Sequence, residues 1–429
     1  MRVAGAGGSG MVRPGLYALG AFGSSLLQQT VLLWLFYFYA PPPGQPLPPR
    51  AEGMAVGVAL GVGRVVDALA DPLVAHWSDR VRSCWGRRRP FILAASPLLA
   101  LIFVLVWRPP HAWPSPANAI YLAVTLGLFF FLYTLVLNPY TALLPDLTPG
   151  GRGRLRTVAW LTAANLGGVG VAFVLSPLLA DRLGFPQMGL ALAPLGLAAL
   201  LAAGLGVHEP PTTDPPRTFP DALRGVWSDA RFRVYLPGLA ALWFGLNTVT
   251  LALALVVTVL MGLAQAMVAA VLGAGLAAAV AALPLVSRLA ARWGAPRTLR
   301  RAVAAVALFL LLMAGLGQWP LPLDPALLGT ALVALAGPAV AGLFMLPNAL
   351  LATIAEEHGR AGRGRVEGMF FAFQGIVLNG VTAASAVALG ALLDGLGYSP
   401  PLAPGLRAAL LLAAASCAVA FLIFSRYPE

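Results

Sequence analysis

Twelve apolar stretches, most of them long enough to cross a bilayer, constrain this 429-residue chain more than any other feature. They fall near 15–40, 53–77, 91–107, 119–145, 157–181, 185–207, 233–261, 264–287, 301–318, 326–354, 368–393 and 406–426. A helix needs roughly 20 apolar residues to span hydrocarbon. Lipid offers the backbone no hydrogen-bond partner, so each stretch is predicted to be a helix. Only 10% of the residues are charged, against about 25% in a soluble protein, and the mean hydropathy is +0.82. The first stretch follows Arg2 and Arg13 and is too long for a signal-peptide core, which predicts a retained first helix. The expected fold class is all-α integral membrane, with twelve transmembrane helices in two six-helix pseudo-repeats. Short loops such as PPPGQPLPPR leave no room for a separate soluble domain.

All 28 basic residues are arginine, and the net charge is +12. Placed on a twelve-span topology with the N-terminus inside, 23 arginines fall on inner segments and four (Arg50, Arg108, Arg182, Arg407) on outer loops, while Arg64 lies within a span. That asymmetry obeys the positive-inside rule. It predicts a multi-pass protein of the cell (inner) membrane with both termini cytoplasmic. It also removes nucleic acid as a partner, because the charge is the pattern that insertion and anionic lipid require.

An internal repeat divides the chain. Arg80, Trp85, Gly86, Arg89, Pro139 and Arg152 recur as Arg288, Trp293, Gly294, Arg297, Pro347 and Arg360, all 208 residues later. Parallel repeats of six helices, related by an axis along the membrane normal, produce this pattern. The expected units are an N-terminal bundle at 1–207, a cytoplasmic linker rich in Pro and charge at 208–232, and a C-terminal bundle at 233–429.

One charged cluster sits at membrane depth. In GMAVGVALGVGRVVDALADPLVAHW, Arg64, Asp67 and Asp71 are spaced three and four apart and so share one helical face. Each charge near mid-bilayer costs about 2.5–3.5 kcal/mol on insertion scales. Two readings follow: an Arg–Asp pair that sets helix packing, or a cation or proton site facing a central cavity. Nearby carboxylates supply oxygen ligands or share a proton. The positions 208 residues on are Leu272, Gly275 and Ala279, so the charges belong to the first half alone.

Gln28, Gln29, Thr30, Asn138, Asn165, Asn247, Gln374 and Asn379 are the other polar groups singled out at depth, suited either to a solute path or to interhelical hydrogen bonds. Trp243 and Phe244 either stack on a solute or fill a packing gap. The two cysteines, Cys84 and Cys417, are too far apart in sequence to read as a disulfide framework or metal motif. The four histidines lie at span ends or in loops, and no nucleophile, metal or phosphate-binding constellation appears at depth, so no enzymatic activity and no cofactor are expected.

Three stretches carry a resemblance: GRVVDALADPLVAHWSDRVRSCWGRRRPFILAASP, YTLVLNPYTALLPDLTPGGRGRLR and LPNALLATIAEEHGRAGRGRVEGMFFAFQG. They are similar to the glycoside–pentoside–hexuronide cation symporters of the major facilitator superfamily. R-x-x-D-A-x-x-D-P looks like the melibiose-permease branch, and the following loop looks like the sucrose carriers. The resemblance implies a coupling cation, Na+ or H+, held by Asp67, Asp71 and Thr134 with Arg64 as charge partner, and a sugar near Gln374. It also marks departures: Ala70 where a polar residue often stands, Ser25 and Leu137 for aspartates, Leu161 for an arginine and Asn379 for a lysine.

The expected activity is therefore cation-coupled symport of a neutral glycoside or oligosaccharide by alternating access. Gln374, Asn379, Ser25, Gln28, Tyr133, Trp243 and Asn247 are the expected substrate residues. Asp79, Arg80, Arg87, Arg88 and Arg89 form the expected conformational loop, with simple membrane anchoring as the other reading. The missing pocket charges make a lysolipid-like or other hydrophobic solute the rival substrate, and a transport-dead sensor is a further alternative. The expected partners are a small-molecule solute and membrane lipid, around a monomer.

Overall fold

The computed structural model describes residues 14–81, 83, 85–147, 151–207, 229–318, 324–360 and 367–427. Most of the expected linker, 208–228, lies outside these residues, as do Cys84 and the side chain of Asp79.

The apolar stretches form twelve helices among the described residues. They are α1 (Pro14–Tyr39), α2 (Gly53–Arg80), α3 (Arg89–Val106), α4 (Pro116–Leu147), α5 (Gly151–Leu183) and α6 (Phe185–Leu205), followed by α7 (Ala230–Leu255), α8 (Met267–Trp293), α9 (Ala295–Ala314), α10 (Pro325–Arg360), α11 (Glu367–Leu396) and α12 (Pro404–Ser425). A π-helical turn, Val256–Leu260, prolongs α7. Local chemistry explains the boundaries. Pro90, Pro186, Pro296 and Pro404 lie in the first turns of their helices, where a missing N–H costs nothing. Asp229 caps α7 by accepting from the Arg231 and Phe232 amides at 2.9 and 3.4 Å. Gly86 and Gly294 hold φ of 98° and 85°, so two positions 208 residues apart share a left-handed conformation that suits glycine.

Eleven of these helices are long and apolar enough to cross a membrane. The exception is α9, expected at 301–318 and found at Ala295–Ala314. It starts six residues earlier because Pro296 opens it, and it ends before Gly317, whose φ is 75°. Arg297, Arg300 and Arg301 consequently ride on its first two turns. The Arg301 guanidinium lies 4.0 Å from the Trp293 ring centroid, so its stem covers apolar surface while its charge stays near the interface.

Large apolar side chains face outward along the bundle, among them Leu327, Ile120 and Leu69, each more than 60% exposed. On a water-facing protein such a surface would aggregate; in lipid it is the matching solvent. Within the first six helices, α1 packs on α5 and α6, α4 on α2 and α3, and α3 on α6. Within the last six, α7 packs on α11 and α12, α10 on α8 and α9, and α9 on α12. Three pairings join these sets: α2 with α11, α5 with α8, and α1 with α7.

The joining contacts cluster toward the arginine-poor face. A Cβ on Gly57 would lie 2.4 Å from the Ala386 carbonyl oxygen, and one on Gly390 would lie 2.3 Å from the Gly53 oxygen. Both positions therefore tolerate only glycine at this backbone separation. Tyr398 donates to the Ala40 and Pro41 carbonyls at 3.1 and 3.2 Å. At the arginine-rich face, Arg88 donates to the Ala142 carbonyl and Arg89 to Gly204 at 2.9 Å, both within the first six helices. Arg231 pairs with Glu357 within the last six.

Candidate functional site

The charged cluster of α2 lies halfway along that helix and halfway through the bundle. Arg64 and Asp67 are each only 6% exposed. Arg64 Nη1 donates to Asp67 Oδ2 at 3.2 Å, and Thr134 Oγ1 donates to Asp67 Oδ1. The Asn379 side chain of α11 approaches the Asp67 carboxylate from the opposite half. Asp67 thus gathers partners from α2, α4 and the opposite half. Arg64 rests 4.1 Å above the Phe130 ring centroid, an attraction worth about 2 kcal/mol or more when desolvated. Its Nε has no hydrogen-bond partner among the described residues.

One turn further along, Asn138 Nδ2 donates to Asp71 Oδ1 at 3.1 Å and to the Asp71 carbonyl at 3.2 Å. The pairs Asp67–Thr134 and Asp71–Asn138 share a sequence offset of 67. That follows from α2 and α4 running parallel, so a step of four residues advances both by about one turn. Arg64 and Asp67 balance as a pair and Asp71 is left as the excess carboxylate. With both carboxylates ionised, the site would carry one negative charge that Arg64 does not balance, beside the oxygens of Asp67, Thr134, Asn138 and Asn379. Those are hard donors, suited to a proton or an alkali cation and unsuited to a soft transition metal. Among the described residues no group of three His, Cys, Asp or Glu side chains is placed to hold a metal ion.

The remaining sequence candidates fall into separate groups. On α1, Gln28 Oε1 accepts from the Tyr133 hydroxyl at 3.2 Å, and Ser25 Oγ accepts from Asn165 Nδ2 at 2.5 Å. Of these groups, Tyr133 lies within electrostatic reach of Asp67 and Arg64 and so brings Gln28 toward the carboxylate cluster. In the other half, Gln374 Oε1 lies 2.9 Å from the Tyr235 hydroxyl, which also donates to the Pro347 carbonyl at 2.9 Å. Asn247 Nδ2 donates to Thr382 Oγ1 at 2.9 Å. Trp243 meets Phe344 edge-on, with ring centroids 5.8 Å apart.

Asn379 is thus drawn to the carboxylates. Gln374, five residues nearer the arginine-rich end of α11, accepts from Tyr235 of its own half. Arg88 and Arg89 bind carbonyls near the C-terminal ends of α4 and α6, where the helix dipole favours a cation. Arg80 is exposed at the end of α2, and Arg87 is partly buried.

Sequence reasoning missed three roles. Asn138 reads as one polar residue among many, and its spacing of four from Thr134 is the signal that ties it to Asp71. Asp394 is not singled out by the sequence, and in the structure it accepts from the Gly53 and Met54 amides of α2. Arg407 reads as an outer-loop charge. In the structure it is 9% exposed and donates to the Ala314, Leu316 and Leu402 carbonyls at 2.5, 2.8 and 2.7 Å, so it closes the end of α9 against α12.

Known proteins bear on this arrangement. Inner membrane symporter YicJ from Escherichia coli is 30% identical over 230 residues, covering 51% of this chain and 48% of the relative. An uncharacterized symporter from Synechocystis, sll1374, is 30% identical over 205 residues, covering 45% and 36%. The putative glycoside/cation symporter YagG of Escherichia coli is 29% identical over 163 residues, covering 38% and 34%. The matched segments thus span between about a third and a half of these relatives' lengths. The nucleoside transporter NupG superposes with a TM-score of 0.70 at 12% identity, over 97% of this chain and 100% of its own. The POT family transporter PepTSo reaches 0.71 at 12% identity, over 97% of each chain. At that identity the two structures speak for the fold alone, an all-helical arrangement that this chain shares with both transporters. Residues 16–428 match a single family from end to end, and this multi-pass membrane chain belongs to the MFS/sugar transport protein family.

Proposed function

We propose that the chain is a secondary transporter that couples uptake of a neutral glycoside or oligosaccharide to a monovalent cation. The observation that carries this reading is the junction at Asp67, where Arg64, Thr134 and the Asn379 amide of the opposite half converge on one carboxylate. A cation entering beside Asp67 and Asp71 would compete for those contacts and so alter how α2 meets α11. Coupling requires such a differential contact between two states. The names of related proteins, which include a glycoside/cation symporter and a glucuronide carrier homologue, support a glycosidic solute and a coupling cation.

The sugar side rests on neutral groups. Ser25, Gln28, Tyr133 and Asn165 on the first six helices, and Gln374, Asn247 and Trp243 on the last six, supply hydroxyl, amide and ring surfaces suited to an uncharged glycoside. The same neutrality favours a second reading, a lysolipid-like solute, because Leu137 and Leu161 stand where the melibiose-type pattern carries charges. Uptake into proteoliposomes decides between them. We expect a glycoside to accumulate only when a Na+ gradient or a pH gradient is imposed, with Gln374→Ala weakening its binding roughly 10-fold, the cost of about one lost hydrogen bond. Accumulation of a lysolipid instead, or an unaltered affinity in Gln374→Ala, would overturn the corresponding assignment.

The arginine-rich face is the cytoplasmic one in this proposal, with both termini inside and the chain in the cell membrane. Reporter fusions check it. A fluorescent protein that matures only in the cytoplasm should light up when fused after Glu429, and alkaline phosphatase inserted after Gly44 should be active. The reverse pattern would invert the topology.

A further inference from the structure

The arginine-poor end of α2 carries an unusual cap. Its first turn needs acceptors for the N–H groups that no intrahelical carbonyl satisfies, yet Glu52, at the N-cap position, makes no side-chain cap bond. The acceptor comes from the other half. Asp394 Oδ1 accepts from the Gly53 amide at 2.9 Å, and Asp394 Oδ2 accepts from the Met54 amide at 2.6 Å. The residues are 341 and 340 positions apart, so the cap exists only while α2 and α11 are together.

For its own helix, Asp394 is misplaced: it sits in the last turn of α11, where the dipole disfavours an anion. The N-terminus of α2 reverses that sign. Space at the contact is matched to it. A Cβ on Gly53 would lie 2.9 Å from Asp394 Oδ1 and 3.3 Å from the Gly390 oxygen, and one on Gly390 would lie closer still to the Gly53 backbone, at 2.3 Å from its oxygen. Asp394 is exposed, so when the faces part water can solvate the carboxylate while the α2 amides lose a charged acceptor.

We infer that Asp394 is a latch between the halves: it holds the arginine-poor face closed by capping α2 in trans, and its release accompanies opening of that face. The latch rests on the proposed transport cycle for its purpose, but its test needs no solute, so its failure would leave the glycoside reading standing.

The experiment is a distance measurement in the full-length protein. Spin labels at Arg108→Cys and Leu402→Cys, with Cys84→Ser and Cys417→Ser, report across the arginine-poor face from exposed positions in the two halves. The parent should show a short-distance population as its main component. Asp394→Ala should enlarge the long-distance population about five- to ten-fold, the typical effect of removing a cap acceptor. Asp394→Asn, which keeps one acceptor oxygen, should fall between them. Gly390→Leu serves as the positive control, since its side chain would collide with the Gly53 carbonyl. Unchanged distances in both Asp394 variants, with widening in Gly390→Leu, would overturn the latch.

Discussion

Asp67→Asn should abolish cation-driven accumulation, by at least about 100-fold, while exchange of solute down its gradient persists. The magnitude follows from the chemistry. A neutral amide holds a cation far more weakly than a carboxylate at a buried position, and two lost factors of ten correspond to about 2.8 kcal/mol. Thr134 and Asn379 would still meet an oxygen at position 67, so the meeting of α2 with α4 and α11 should survive. The measurement pairs gradient-driven uptake with counterflow in proteoliposomes. Retained accumulation would remove Asp67 from the coupling site. Loss of both activities in a folded protein would make it a general structural requirement instead.

The second large effect concerns Arg64 and separates stability from coupling. Arg64→Met removes the cation that balances Asp67 and leaves two carboxylates one turn apart in a buried setting. Breaking one side of a buried pair costs about 3–5 kcal/mol, largely because the partner is stranded. The double variant Arg64→Met/Asp67→Asn removes both charges and should recover stability to within about 1 kcal/mol of the parent. Coupling should not recover, since the carboxylate is gone. Thermal unfolding in detergent, alongside uptake, distinguishes these outcomes. Equal destabilisation of the single and double variants would show that charge balance is not what Arg64 supplies.

Both effects are anchored on a helix face that can be read directly from residue spacing. Arg64, Asp67 and Asp71 must share a side of any helix they occupy, and charges at that depth are too costly to retain idly. Thr134 enters through family resemblance. Asn138 does not, although its spacing from Thr134 equals that from Asp67 to Asp71. What was missing is that α2 and α4 are neighbours. Many helix pairs in a twelve-helix bundle would satisfy the apolar pattern equally well, because lipid-facing and buried positions are both hydrophobic here. In a soluble helix the polar stripe marks the outside, and this chain lacks that contrast.

Asn379 and Arg407 show the same limit in opposite directions. Asn379 stands where a lysine belongs in the resembling family and reads as a substrate group, yet the crossing of α11 over α2 brings its amide to Asp67. Arg407 counts as one of four loop arginines in the topology argument, yet it folds inward onto three carbonyls. Its positive charge satisfies the ends of neighbouring elements that only the tertiary arrangement brings within reach.

By itself the sequence determined that the chain is a bundle of membrane-crossing helices, that its halves repeat at an offset of 208, and where charge lies along each helix. The helices and the placement of charge follow from hydropathy, backbone hydrogen bonding and helical periodicity, which act over tens of residues or less, and the repeat follows from comparing the chain with itself. Only the tertiary structure decided which faces meet. It paired Asp71 with Asn138, carried Asn379 across to Asp67, and set Asp394 on the first turn of α2. The physical reason is that helix pairing within an apolar solvent depends on close backbone approach and a few directional hydrogen bonds between residues up to 358 positions apart, and no local pattern records it.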